Sequence, residues 1–211
     1  MADDEQRPRW RTAVEIAEVT VLAIVAIATA WSGYQATQWG GRQTVLYGQA
    51  SSTRFQADAL STLGGQQLVA DSSMFTAWLV ARQSGDTELQ GQLVRRFSAD
   101  YAQAFQGWLK TDPFNDPTAP PGPGYMPGFS NPNMSAATKL NAQASEMFAE
   151  GTIARETANK YVRDTVLLAS VLFCVALAQR FTVRGIRIGA NALGLVLLLY
   201  TLFTLVDLPR V

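Results

Sequence analysis

Residues 19–31 read VTVLAIVAIATAW, a run without a single charge, inside a longer apolar stretch, residues 13–34, that follows Arg7, Arg9 and Arg11. At about 1.5 Å per residue, the twenty or so residues from Glu15 to Tyr34 cover the roughly 30 Å hydrocarbon layer, which predicts a first membrane span. Trp31, Tyr34 and Trp39 follow it as an aromatic belt. Two further apolar stretches lie at the other end of the chain. Residues 165–181 form a shorter one that closes on Gln179 and Arg180, with Tyr161 to Arg163 and Phe181 completing it by snorkelling. Residues 188–206 are of full length and stop at Asp207 and Pro209. The fold class expected is therefore an all-α membrane protein: three transmembrane helices, with a long antiparallel helical hairpin or bundle inserted between the first and second.

The arginines orient the layout. Arg7, Arg9 and Arg11 precede the first span, and Arg180, Arg184 and Arg187 crowd the short link, residues 182–187, between the second and third. Both groups belong on the cytoplasmic side if positive charge stays inside. The tail of residues 1–12 is then cytoplasmic, while residues 35–164 and the C-terminal tail, 207–211, are extracytoplasmic. Arg155, Lys160 and Arg163 weigh the other way. Ala28-Thr29-Ala30 also fits the small-x-small pattern of a cleaved leader, but Glu15 and Glu18 interrupt that leader and helical patterning continues past the cut.

Composition excludes more than it specifies. Lysine plus arginine, 17, equals aspartate plus glutamate, 17, so no net field draws nucleic acid and no nucleic-acid partner is expected. The absence of histidine removes the commonest general base, every histidine-dependent triad and most zinc or haem sites. The lone Cys174 sits in the second span, where a thiol behaves as a small apolar group. No glycine-rich phosphate loop follows a strand. No catalytic, cofactor-binding or metal-binding set emerges, and a non-enzyme is the expectation.

Between the first two spans, residues 35–83 carry small or apolar side chains at three and four spacing, continuing the first span as helix. Gly64-Gly65 is the expected kink. Asp86 caps a second helix over residues 86–111, with Leu89, Leu93, Phe97, Tyr101, Phe105 and Trp108 along one face. Residues 112–133 hold seven of the nine prolines and form a strap, pinned by Phe114, Tyr125, Met126 and Phe129. A third helix, residues 134–164, shows a seam of mostly small residues at Ala137, Leu140, Ala144, Met147, Gly151, Ala154, Ala158 and Tyr161, which lets a neighbouring helix approach closely. The expected pairing is an antiparallel hairpin; the rival is a compact four-helix bundle turning at Gly64-Gly65.

Ala30-Trp31-Ser32-Gly33-Tyr34-Gln35, Trp39-Gly40, Phe75 with Trp78-Leu79, Arg95-Arg96-Phe97, Trp108-Leu109 before Asp112-Pro113, and Tyr161 leading into Val171-Leu172-Phe173 resemble a group of uncharacterised bacterial three-pass membrane proteins. The resemblance spans most of the chain and implies a bacterial inner-membrane protein. It carries no site residues with it.

The remaining candidates are polar groups in apolar surroundings. Glu15 and Glu18 share a face at one end of the first span, close in depth to Arg180, Arg187 and Asn191, and read as an interhelical salt bridge or, alternatively, an ion or proton step. Ala23, Ala26 and Ala30 are placed to pack on Ser170, Cys174 and Ala178. Asp71, Asp100, Asp112 and Asp116 read as turn and cap residues rather than calcium ligands. Trp78, Phe97, Tyr101, Phe105 and Trp108 are candidate packing or interface residues, since a thin hairpin has too little width to cover them alone. The leading expectation is a membrane-anchored, non-enzymatic stalk that self-associates or scaffolds a membrane-protein partner. A small transporter or channel subunit and a membrane-anchored ligand sensor are the alternatives.

Overall fold

The computed structural model describes the backbone of residues 9–181 and 183–211, with side chains from residue 16 onward except at 182 and 184. The expectations resting on Arg7, on residues 1–8 of the tail, and on the side chains of Arg9, Arg11, Glu15 and Arg184 lie outside the described residues. All regular structure among the described residues is helical: α1 (Arg9–Gln83), α2 (Thr87–Val94), α3 (Ala99–Leu109), a 3-10 turn (Pro123–Tyr125), α4 (Pro132–Arg180) and α5 (Arg184–Asp207). Three stretches, Ile16–Gln83, Pro132–Arg180 and Gly185–Asp207, belong to helices long and apolar enough to cross a membrane.

The spans run on into their neighbours. No proline lies between Pro8 and Pro113 or between Pro132 and Pro209, so nothing removes a backbone donor from α1 or α4. The expected helix over 134–164 and the span over 165–181 are accordingly one element. Conversely, the helix expected over 86–111 is two, broken at residues 95–98. The buried Asp71 carboxylate explains the break: it accepts from the Ser98 amide at 2.8 Å and the Ser98 hydroxyl at 2.6 Å, holding Ser98 extended as the residue before α3.

The chain forms two compact units, one from the residues up to Tyr47 together with Phe148–Val211, the other from Gly48–Met147. The boundary thus falls beyond the expected span ends at 34 and 165. Within the first unit the inward positions are Val25, Ala28, Ser32, Gln35 and Trp39 on α1, Tyr161, Asp164, Leu168, Val171, Val175 and Ala178 on α4, and Leu198 and Thr201 on α5. Each series steps by three and four residues, the period of one helix face. The expected seam of Ala23, Ala26 and Ala30 is exposed instead. Alanine methyls lose nothing by facing lipid, whereas Ser32 and Gln35 need cover. Cys174 is half-buried against Gly194, where a Cβ would stand 3.5 Å from that of Cys174. Trp39 does not join an interfacial belt: it is buried among Ala154, Ala158 and Tyr161, and its indole donates to the Pro209 carbonyl at 3.1 Å. Contacts from Glu18 to Gln179 and from Tyr47 to Phe148 and Thr152 run in opposite chain directions.

In the second unit, Ala50 and Ala57 of α1 and Ala137 and Ala144 of α4 are buried. Asn131 caps α4 by accepting from the amides of Asn133 and Met134, and its side-chain amide donates to Gln67. This cap sits against Gly64, where a Cβ would meet Met134 Cγ at 2.7 Å and Asn131 Oδ1 at 2.9 Å. Gly64 therefore serves close packing, and α1 is unbroken through both glycines, without the turn that the rival four-helix bundle requires. Phe75, Trp78, Phe97, Tyr101, Phe105 and Trp108 form one buried cluster, with Met126 and Phe129 of the strap packed on it. Contrary to the expectation from a thin hairpin, these aromatics are covered within the chain, by the strap and the α2–α3 pair. Trp108 donates to the Pro120 carbonyl at 2.7 Å, Pro123 is fully buried, and Arg82 lies 3.9 Å over the Phe114 ring. Tyr125, at 75% exposure, is the one strap aromatic that does not pin it.

Gly64→Ala is expected to cost about 1 kcal/mol or more, overpacking outweighing the helix propensity gained, while Gly65→Ala, with nothing within 4 Å of its Cβ, is expected to stabilise by up to about 1 kcal/mol. Thermal unfolding of the two variants in detergent, followed by circular dichroism, should move in opposite directions. Burial pushes the Tyr101 phenol above its ordinary value, a Ser72 hydrogen bond pulls it partly back, and the Asp71 carboxylate adds to the rise. The folded state holds this proton more tightly than the unfolded chain. Its contribution is therefore full below the unfolded value of about 10 and is lost as pH climbs through the folded one. Alkaline melting curves should show wild type losing stability relative to Tyr101→Phe only in that range.

Candidate functional site

The first unit carries a polar layer at each end of an apolar middle. Val25, Ala28, Leu168, Val171, Val175 and Leu198 form that middle, with no polar side chain among them. At one end Glu18 is 8% exposed. Its Oε1 accepts from Arg187 Nη2 at 3.0 Å and Asn191 Nδ2 at 3.2 Å, and its Oε2 from Gln179 Nε2 at 3.5 Å. A carboxylate in an apolar span costs a few kcal/mol unless it is paired. Here α4 and α5 both donate to it, so one α1 side chain ties three helices. Of the residues singled out from the sequence, Glu18, Arg187 and Asn191 meet. Arg180 is exposed and takes no part in the interactions of Glu18, and the Glu15 side chain is outside the described residues. Gln179 was not foreseen, though its position beside Arg180 at the end of the span is a signal for it.

The opposite layer was missed altogether. Ser32, Gln35, Asp164 and Thr201 are each 0% exposed. The Thr204 hydroxyl shares its one proton between Asp164 Oδ2 at 3.2 Å and the Thr201 carbonyl at 2.9 Å. The residues after α5 fold over this end: the Pro209 carbonyl accepts from Trp39 Nε1 and Tyr161 Oη, both at 3.1 Å, and the Val211 amide donates to Gln35 Oε1 at 3.3 Å. Four buried polar atoms, Thr29 Oγ1, Ser32 Oγ, Gln35 Nε2 and Asp164 Oδ1, have no protein hydrogen-bond partner. Arg163 Nε stands 3.7 Å from Asp164 Oδ1, with a side chain 57% exposed. The available signal was periodicity: Ser32 and Gln35 continue the Val25, Ala28 face, and Asp164 continues that of Leu168.

In the second unit the aspartates hold the backbone. Asp71 fixes Ser98, and Asp86 caps α2 at the Leu89 amide. Asp112 adopts a φ of 50°, a conformation aspartate tolerates better than most residues, and its carboxylate accepts from the Asn115 side-chain Nδ2 at 2.9 Å. Asp116 accepts from the Thr118 hydroxyl and amide, which hold its carboxyl below the usual range. Asp100 lines an open cavity of about 250 Å³ with Gln103, Gly107, Met126 and Phe129. Among the described residues no three acid or cysteine side chains converge as a metal would need. Trp78, Phe97, Tyr101, Phe105 and Trp108 share one core.

No family model, no curated protein and no solved structure matches the chain.

Replacing Glu18 by glutamine sets an amide against the donors of Arg187 and Asn191. Because Arg187 is about a third exposed, the expected loss is discounted to about 1–3 kcal/mol. Removing the cation as well, in Glu18→Gln with Arg187→Gln, should recover part of it. Additive losses in thermal unfolding of the double variant would show that the pair is not coupled.

Proposed function

We propose that this chain is a non-enzymatic, three-pass protein of a bacterial inner membrane whose helical region between the first two spans self-associates as a scaffold. The arginines support the orientation, with the N-terminus and the 182–187 link cytoplasmic and residues 35–164 outside. In this reading α1 and α4 pair as a long antiparallel hairpin, with α2, α3 and the strap completing it.

The observation that carries the association is an uncovered face of α1. Phe55, Ala59, Thr62, Gln66, Val69, Ser73, Thr76 and Val80 recur at alternating spacings of four and three, carry no charge, and are all exposed, Phe55 by 73%, Val69 by 67% and Val80 by 63%. That spacing is the one by which two helices pack side by side. Copies inserted into one membrane in the same sense present this face at the same height, so it suits a second copy in parallel. The alternative of a transporter subunit has against it the apolar middle of the three-span unit, which offers a permeating ion no polar continuation. A ligand-sensing role has the open cavity beside Asp100 on its side, and a thermal shift of the full-length protein with a metabolite mixture is its test.

Cysteine crosslinking in native membranes tests the association. In a Cys174→Ser background, Phe55→Cys, Val69→Cys and Val80→Cys should each give crosslinked dimers, while Asn141→Cys, exposed on α4, should not. Equal crosslinking at Asn141, or a wild-type protein that is monomeric in mild detergent, would retire the proposal.

A further inference from the structure

The layer around Asp164 combines burial with incomplete pairing. Thr29, Ser32 and Gln35 step along one face of α1 between Ala28 below and Trp39 above. Asp164 lies on α4 between Leu168 and Tyr161, and Thr201 and Thr204 lie on α5 between Leu198 and Leu205. The lower flanks belong to one apolar cluster and the upper flanks pack in another. All six polar residues therefore occupy the same interval of the bundle, roughly 10 Å tall.

The unpaired atoms are chemically complementary. Asp164 Oδ1 accepts, Gln35 Nε2 donates, and the hydroxyls of Thr29 and Ser32 do either. Gln35 is held in this sense because its Oε1 already takes the Val211 amide. An amide donor turned into the layer disfavours a metal cation there. As the residues stand, none of these atoms is hydrogen-bonded to another, so an ionised Asp164 leaves Oδ1 unpaired; a proton on that oxygen supplies a donor at the depth of the layer's hydroxyls, either of which can accept.

We propose that Asp164, with Ser32, Thr29 and Gln35, is an internal proton-binding site of the three-span unit. One proton passes from bulk water to Asp164 Oδ1, neutralising the carboxylate, and a hydroxyl of the layer turns to accept from it. The electrostatic surroundings are few. On α4, Arg163 stands 3.7 Å away, with Tyr161 and Lys160 one turn off. On α5 the nearest charge is Asp207, with Arg210 beyond it near Tyr161. On α1 no charged residue lies between Glu18 and Arg42. Loss of the negative charge also weakens the Thr204 bond, so proton uptake is coupled to the seating of α5 and of the residues over Trp39. This site is independent of the association surface on α1.

Infrared difference spectra of the full-length protein in lipid nanodiscs, between alkaline and acidic buffers, test the proposal. The expected result is a carboxylic acid C=O band of a buried group, absent in Asp164→Asn and retained in Asp207→Asn. Gln35→Met removes the one group that only donates and should raise the midpoint of that band by about one pH unit, a tenfold change in proton affinity. Trp39 fluorescence should follow the same midpoint. Ser32→Ala is read in parallel, so the result does not hang on the folding of one variant. An Asp164 band that never appears, or a midpoint unmoved in both Gln35→Met and Ser32→Ala, would overturn the site. A spectral change on replacing choline by sodium at constant pH, lost in Asp164→Asn, would overturn it in favour of a metal cation.

Discussion

Close approach of α1 and α4 depends on residues that lack bulk, and the rest of each unit is arranged around it. Gly151 accepts the Tyr47 ring, which a Cβ would meet at 2.6 Å, while Ala154 and Ala158 flank Trp39. In the second unit Gly64 accepts the Asn131 cap. Such sites trade the helix propensity of alanine, about 1 kcal/mol at each glycine, for contact between backbones and large rings.

Burial at this contact puts polar groups where water and lipid cannot serve them, and the two polar layers of the first unit meet that constraint differently. Glu18 is matched by donors from both neighbouring helices, so its charge acts as a tie. Asp164 has one hydroxyl donor and a half-exposed arginine at 3.7 Å, leaving an oxygen that the protein does not pair. A matched charge favours a single state. An unmatched one leaves a buried oxygen whose unmet bonding is costly at low dielectric. The apolar middle keeps the layers separate, so the chemistry of each end is local.

The second unit solves a different problem. A pair of helices is too narrow to cover six large aromatics, and the cover comes from the broken α2–α3 segment and from a proline-rich strap that turns Met126 and Phe129 onto the rings. The Asp71 carboxylate makes the break possible by replacing the helical partners that the Ser98 amide gives up. With those aromatics enclosed, Phe55, Val69 and Val80 of α1 stay among the exposed apolar side chains of this unit.

The order of the residues by itself determined the helical class and the three stretches long and apolar enough to cross a membrane: hydropathy, the missing prolines and the three-and-four periodicity are local properties, and so is the α4 seam from Ala137 to Tyr161. It also pointed to Glu18, Arg187 and Asn191, because a charge in an apolar run must find a partner at its own depth. Only the tertiary structure decided which face of each span turns inward. Alanine is indifferent to lipid or protein, so Ala23, Ala26 and Ala30 look like a seam and are not one, and the Asp164 layer emerges only when Ser32, Gln35, Thr204 and the residues after α5 come together from three distant parts of the chain. The break at Ser98 was hidden for the same reason, since the group that causes it stands 27 positions away.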